Sequence, residues 1–201
     1  DIKSETDTQG FSLEKTSGFF GGDILSFTLG VEKKQSETSL LGQGFDFSLG
    51  SINGEARASI VYAGIALKNQ GRNSAWALSS TWRHGIDAWN ATEIAGQAIG
   101  QFDVLVSQFE VLHRLAGGTV LSLRMNSQLT EDSLQSFERM PLGGYRSVRG
   151  YRQNQLLKDN GWDLLLDYQI PVLNQLQDSG YFFTLVPNVG VARGWDSKRY
   201  P

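Results

Sequence analysis

The chain has 201 residues with 23 Gly, 4 Pro and no Cys, and its formal net charge is −3. The absence of Cys excludes disulfides, zinc–thiolate sites and cysteine nucleophiles, and the slightly acidic balance gives no overall attraction to nucleic acid. Because His84 and His113 are the only histidines, the sequence predicts no multi-histidine metal site, and we expect neither a metal nor another cofactor.

Alternation of apolar and polar residues with a period of two dominates the sequence and predicts β-strands. The stretch 25–31 reads LSFTLGV and the stretch 121–128 reads LSLRMNSQ, each with apolar residues on one face and polar or small residues on the other. No stretch shows a comparably clean helical period. The predicted strands, taken in chain order, are 23–34, 40–50, 56–68, 74–86, 101–115, 118–129, 160–172 and 180–192.

Two sets of connections alternate between these strands. The Asn53-Gly54 pair in the connection 51–55 is a strong signal for a tight hairpin turn. Most predicted strands are long enough for a tilted membrane-spanning strand, which needs about 9–11 residues. The short connections are 35–39, 69–73, 116–118 and 173–179, and the other set holds 51–55, 87–100 and 130–159.

These patterns favour an all-β fold, an antiparallel transmembrane β-barrel, over a soluble β-sandwich. Short turns at one end and long loops at the other are typical of outer-membrane barrels. A polar face opposite an apolar face in nearly every strand is what lipid outside and water inside require, because each face must match its solvent.

No enzyme motif is present in the sequence. The stretch GGYRSVRG at 143–150 is neither a dinucleotide-binding nor a phosphate-binding loop, and there is no G-x-S-x-G. A nucleic-acid site would need a broader basic surface than this one stretch. We therefore expect a protein that is not an enzyme and does not bind nucleic acid.

Arg149 lies in a segment that does not resemble a freely solvated loop tip, although a solvated tip is the alternative. Val148 and Tyr151 are poor choices for such a tip, and an Arg between them suits a planar donor inserted among acceptors. Nearby glycines allow tight turns of the backbone. The glycines are Gly143, Gly144 and Gly150.

The stretch 136–173, SFERMPLGGYRSVRGYRQNQLLKDNGWDLLLDYQIPVL, resembles the sixth extracellular loop and following strand of two-partner secretion transporters, the hemolysin secretion/activation family. The tetrapeptide VRGY at 148–151 is the signature of that loop. The stretches 30–61 and 78–92 are also similar to this family, and the stretch RQNQLLKDNG at 152–161 resembles cyanobacterial-type members especially.

The resemblance implies a pore in the bacterial outer membrane, surrounded by lipid, that passes a large hemolysin-like or adhesin-like partner protein to the cell surface. It implies a sixteen-strand barrel preceded by periplasmic POTRA domains. Residues 1–201 would then be part of a single barrel domain, about eight of its strands, without the POTRA domains. The segment 130–159 would be a long extracellular loop that folds into the lumen.

In the family, the loop arginine pairs with an acidic residue of the inner wall, within a Phe-x-Asp-x-Gly pattern. Here that pattern is broken, since its Asp position falls on Gly190 and its Gly position on Ala192. The candidate partners of Arg149 are therefore Asn188 and Asp167. We favour Asp167, because a charge-assisted hydrogen bond contributes about 1.5–3 kcal/mol and a neutral one about 0.5–1.5 kcal/mol.

The alternating faces also predict a polar conduit for an extended chain, lined by Glu110, Arg124, Asn126 and Gln128. Two other functions stay open at this point. One is an outer-membrane protein assembly factor of the same superfamily. The other is a soluble β-rich carbohydrate-binding module with Trp89 or Trp195 as a sugar platform.

Overall fold

The computed structural model describes residues 2–18, 22–46, 50–92, 100–173 and 183–197, and most of them are in β-strands. No helix in these ranges is long and apolar enough to cross a membrane. The strands are β1 (Ile2–Gly18), β2 (Asp23–Leu40), β3 (Gln43–Gly44), β4 (Glu55–Gln70), β5 (Ser74–Ile86), β6 (Asp103–Arg114), β7 (Val120–Thr130), β8 (Met140–Leu142), β9 (Leu156–Lys158), β10 (Asn160–Leu173), β11 (Phe183–Leu185) and β12 (Asn188–Trp195).

Within the described ranges, ten strands form one antiparallel sheet, in which most strands pair with their neighbours in sequence. The order is β1-β2-β4-β5-β6-β7-β10, and β11 and β12 follow one another along the far edge of β10. At the break between those two strands, the Tyr168 N–H donates to the Pro187 carbonyl at 3.0 Å. This up-and-down antiparallel order confirms the predicted fold class.

No strand was predicted before residue 23, yet the start of the chain forms one. Residues 2–18 form β1, which pairs with β2 in continuous register from Ile2↔Leu40 to Gly18↔Ile24. The predicted connection 35–39 lies inside β2. We missed β1 because residues 2–9 carry no apolar alternation, and the strand is stabilised there by ladder hydrogen bonds to the equally polar residues 33–40.

The predicted strand 40–50 is also wrong. The backbone turns at Leu41 and Gly42, which have positive φ values of 54° and 85°, and only Gln43–Gly44 pairs back onto β2. The alternating Phe45 and its successors suggested a strand, although residues 47–49 lie outside the described residues. Here the turn at Gly42 overrides the apolar pattern.

Six of the remaining predicted strands correspond to β2, β4, β5, β6, β7 and β10, and β2 continues six residues beyond its predicted end. The predicted strand 180–192 is divided in its described part into β11 and β12, with a break at 186–187. The predicted turn at Asn53-Gly54 is present, with φ values of 53° and 82° and reciprocal backbone hydrogen bonds between Ile52 and Glu55. Residues 174–179 and 180–182 of the predicted seventh turn and eighth strand lie outside the described residues, as does part of 87–100.

The register places apolar side chains on one face of the sheet, which we call the outer face. Leu78, Phe109, Met125 and Leu164 lie opposite one another on four successive strands. Leu78 is 42% exposed and Met125 is 40% exposed, because no segment within the described residues covers them. An exposed apolar belt of this kind matches the hydrocarbon of a membrane.

The opposite face, which we call the inner face, is polar at the same level. Ser79, Gln108, Asn126 and Asp163 lie opposite one another on the same four strands. This face is also where the chain builds its buried core, because the connection between β7 and β10 folds over it. That core contains Ala58, Ile60, Phe102, Val104 and, from the connection, Leu134.

The two faces make different predictions for an added charge in the full-length protein in lipid. Leu78→Arg should destabilise the barrel by about 2–4 kcal/mol if it lies near the membrane midplane, and by less near an interface, because a charge would face lipid. The matched change Gln108→Arg, on the inner face of the adjacent strand, should cost little. Urea unfolding followed by heat-modifiable gel mobility measures both, and equal losses of stability would contradict the assignment of faces.

Candidate functional site: a long loop held against the inner face

The connection 131–159 between β7 and β10 is long, and it lies against the inner face. Its two arms form a hairpin in which β8 pairs with β9, with Met140 opposite Lys158 and Leu142 opposite Leu156. We call residues 131–142 and 156–159 the loop base, and residues 143–155 the loop tip. The tip contains the VRGY tetrapeptide.

The backbone of the tip requires glycine at three positions. Gly143, Gly144 and Gly150 have φ values of 101°, 101° and 93°, a region that side chains disfavour. A Cβ on Gly143 would lie 2.7 Å from the Arg152 carbonyl oxygen, too close for any side chain. Ser147 N–H donates to the Gly144 carbonyl at 3.2 Å, so the glycines set a compact turn that orients the next residues.

Arg149 forms a bidentate ion pair with Asp167 of β10. Its Nη1 donates to Asp167 Oδ1 at 2.7 Å and its Nη2 to Oδ2 at 2.9 Å. Both side chains are mostly buried, with exposures of 19% and 12%. The guanidinium also donates from Nε to the Tyr145 carbonyl at 3.1 Å, and its Cζ lies 4.5 Å from the centre of the Tyr145 ring. Planar bidentate pairing of this kind fixes the orientation of the guanidinium and also strengthens the interaction.

The other candidate partner, Asn188, lies on β12 directly opposite Asp167. Its side-chain amide donates to the Val186 carbonyl at 3.3 Å. Of the two predicted candidates, Asp167 is thus the one whose hydrogen bonds with Arg149 the structure describes.

The wall passes close to the tip backbone at Gly190. A Cβ at Gly190 would lie 3.1 Å from the Ser147 carbonyl oxygen and 3.3 Å from the Val148 Cα. A side chain at position 190 would therefore have tight contacts with the tip, which would have to shift by a few tenths of an ångström. Position 165, opposite Gly190 on β10, holds a buried Leu.

The other residues of the VRGY tetrapeptide are placed differently from one another. Val148 is half-buried against Gly190, whereas Tyr151 is 61% exposed. Tyr151 borders a groove of about 340 Å³ between the tip and β12, which Leu156 and Ala192 also line. Tyr151 thus contributes a wall of this groove and is not packed tightly onto the sheet.

The four predicted conduit residues lie on the inner face, and three of them form a polar band. Arg124 Nη2 lies 3.0 Å from Glu110 Oε1, and Asn126 Nδ2 donates to Asp163 Oδ1 at 2.9 Å. Gln128 is buried under the loop base. Its amide donates at 3.0 Å to the backbone carbonyls of both arms of the base, those of Glu138 and Asp159.

Glu138, in the loop base, is a residue that sequence reasoning missed. Its carboxylate pairs with Lys34 of β2 at 2.6 Å and with Arg83 of β5 at 3.1 Å. Glu32 of β2 pairs with Arg83 and lies 3.4 Å from Lys34. One signal could have suggested this contact. Lys34, Arg83 and Glu32 carry two positive charges and one negative charge, so one more carboxylate is needed to balance them.

Asp159 links the two arms of the loop base. It is 1% exposed, accepts the Leu134 N–H at 3.1 Å and pairs with Arg139 Nε at 3.1 Å.

Nearby, Lys158 Nζ donates to Asp196 Oδ2 at 2.6 Å. This hydrogen bond lowers the pKa of Asp196 below its ordinary value, so the contact persists at neutral pH and is lost only as acid protonates the carboxylate.

The antiparallel up-and-down sheet, apolar on one face and polar on the other, defines a class of protein, the outer-membrane β-barrels. A model of the family described as haemolysin secretion/activation protein ShlB/FhaC/HecB matches residues 1–199. The chain belongs to this family, which is one of outer-membrane secretion transporters of bacteria and not of enzymes. Comparison with curated proteins gave no significant match.

Solved structures support the same fold. CdiB from Escherichia coli superposes with a TM-score of 0.73 at 16% identity, covering 95% of this chain and 39% of that chain. CdiB from Acinetobacter baumannii gives a TM-score of 0.66 at 16% identity, covering 96% of this chain and 37% of that chain. This chain therefore spans less than half the length of either structure. Neither these matches nor the family favour the soluble carbohydrate-binding alternative.

The tight space between Gly190 and the tip leads to a prediction about a carboxylate at position 190. Gly190→Asp restores a carboxylate at the position of the family pattern, yet it should displace the tip, because overpacking a filled site costs about 1–3 kcal/mol. In the full-length protein, the Asp167→Asn/Gly190→Asp double variant should therefore hold the tip no better than Asp167→Asn alone. Hydrogen exchange of peptides from 143–155 measures this, and protection restored by the second substitution would contradict it.

Proposed function

We propose that the chain forms part of the wall, and the lumenal loop, of an outer-membrane pore that passes an unfolded partner protein to the cell surface in two-partner secretion. In this proposal residues 1–201 belong to a single barrel domain of about sixteen strands. The loop 131–159 enters the lumen from the extracellular side. Lipid contacts the outer face, and the activity is transport without catalysis or a cofactor.

The ion pair between Arg149 and Asp167 is the observation that carries this proposal. A loop that served only as a solvated surface segment would leave its charges in water. Burying an arginine is favourable only when a carboxylate meets it with good geometry. The ion pair between the loop and the inner face therefore supports the proposal that the loop works inside the lumen.

The inner face suits an extended polypeptide in transit. At the level of Gln108 it presents hydroxyl, amide and carboxyl groups, which interact with any peptide backbone through hydrogen bonds and without sequence preference. Its pairs, such as Arg124 with Glu110, balance their charges. A pore wall with little exposed apolar surface would bind an unfolded cargo only weakly, and passage through the pore requires weak binding.

The proposal is tested in the full-length transporter with its secreted partner. Arg149→Ala should reduce secretion at least tenfold, if the ion pair contributes about 1.5–3 kcal/mol to the position of the loop. Arg149→Lys keeps the charge but loses bidentate geometry. Its level of secretion should lie between those of the wild type and Arg149→Ala. Immunoblotting of culture supernatant measures secreted partner, and heat-modifiable mobility in membrane fractions reports insertion of the barrel.

Arg146→Ala provides the matched control, because Arg146 is an exposed cation of the same tip. It should leave secretion unchanged. Normal secretion by an inserted Arg149→Ala barrel would refute the role of the pair. Depletion of unrelated outer-membrane barrels by this variant would instead support the assembly-factor alternative.

A further inference from the structure

We propose that Glu138 is a second positioning residue, which fixes the loop base to the wall independently of the contact made by the tip. This inference rests on the proposed function, since it concerns the same lumenal loop. It assigns separate tasks to the two ends of the loop. Glu138 fixes the base, and Arg149 holds the tip.

The first argument is geometric. The Glu138 carboxylate lies between two strands that are not neighbours, with Lys34 of β2 on one side and Arg83 of β5 on the other. Strand β4 separates these strands in the sheet. The tip is tied to β10, three strands beyond β5 in the order. The loop is therefore held at two separate places on the inner face.

The second argument is electrostatic. The Glu138 side chain is 4% exposed, and those of Lys34, Arg83 and Glu32 are 20%, 17% and 15% exposed. These four groups carry two positive and two negative charges. Without Glu138, two largely buried cations would share one carboxylate, which is costly in a region of low dielectric. The cluster thus requires the loop base in its present position.

The third argument compares the surroundings of the two contacts. In the base, Leu134 is 2% exposed within the buried core and Phe137 packs against that core, and Gln128 donates to the carbonyl of Glu138. In the tip, Tyr145 and Tyr151 are 73% and 61% exposed. Because segments with few buried contacts open more easily, the tip can detach while the base stays attached.

Hydrogen–deuterium exchange mass spectrometry of the full-length transporter in detergent tests the inference. Glu138→Gln should raise the exchange rate of amides in 131–142 by about tenfold or more, since it leaves two largely buried cations with the single carboxylate of Glu32. Arg149→Ala should raise exchange in 143–155 and leave 131–142 protected. Glu110→Gln is the matched control, because Glu110 forms an inner-face ion pair without contacting the loop.

A charge-balancing second substitution separates an electrostatic role from a loss of packing. Glu138→Gln with Lys34→Gln removes one charge of each sign, and it should recover most of the protection lost in Glu138→Gln. Unchanged exchange in 131–142 for an inserted Glu138→Gln barrel would overturn the inference, as would a double variant no better than the single one. If Glu138→Gln fails to insert, Lys34→Gln alone should still raise exchange in 131–142, and no rise would overturn it.

Partner secretion measured on the same variants distinguishes this inference from the proposed function. Raised exchange in 131–142 together with reduced secretion supports both. Raised exchange with normal secretion leaves Glu138 as an anchor of the base and contradicts a working position in the lumen.

Discussion

A charged loop can lie against the inside of a barrel only where each of its buried charges meets an opposite charge on the wall. This constraint organises the inner face of the chain. Arg149 of the tip meets Asp167 of β10 in a bidentate pair, and Glu138 of the base meets Lys34 and Arg83. The apolar core around Leu134 fills the remaining contact.

The shape of the wall is as important as its charge. The inner-face residues of β12 from Gly190 to Gly194 are small, and this lets the loop backbone approach the sheet. A Cβ at Gly194 would lie 2.6 Å from a Leu142 methyl group, just as one at Gly190 would meet the tip. The chain thus combines a close backbone contact on β12 with a carboxylate on the adjacent strand, β10.

Period-two alternation was sufficient to predict most of the barrel wall, because a membrane-facing strand must be apolar on one face. The same rule failed where strands continue beyond the apolar belt. Residues 3–9 are polar and pair with the polar residues 33–39 of β2, so no apolar alternation marks them. Conversely, Phe45 begins an alternating run that suggested a strand, yet among the described residues 41–46 only Gln43–Gly44 forms one.

The candidate site was predictable in part, for a related reason. Parity places Asp167 on the inner face of a regular strand, so its position relative to the loop could be anticipated. Glu138 lies in an irregular segment, where sequence gives no direction for a side chain. The contact with Arg83 joins residues 55 positions apart, and only the folded path of the loop brings them together. The exposure of Tyr151 likewise depends on how the tip turns at Gly150.

The central claim is that the Arg149–Asp167 pair holds the tip against the inner wall. A double-mutant cycle in the full-length transporter tests it most directly, with Arg149→Ala, Asp167→Ala and the two combined, read out as hydrogen exchange of amides in 143–155. The account predicts that each single variant raises exchange and that the double variant raises it no further, because the two side chains act as one contact. Unchanged exchange in the single variants, or fully additive effects in the double variant, would contradict it.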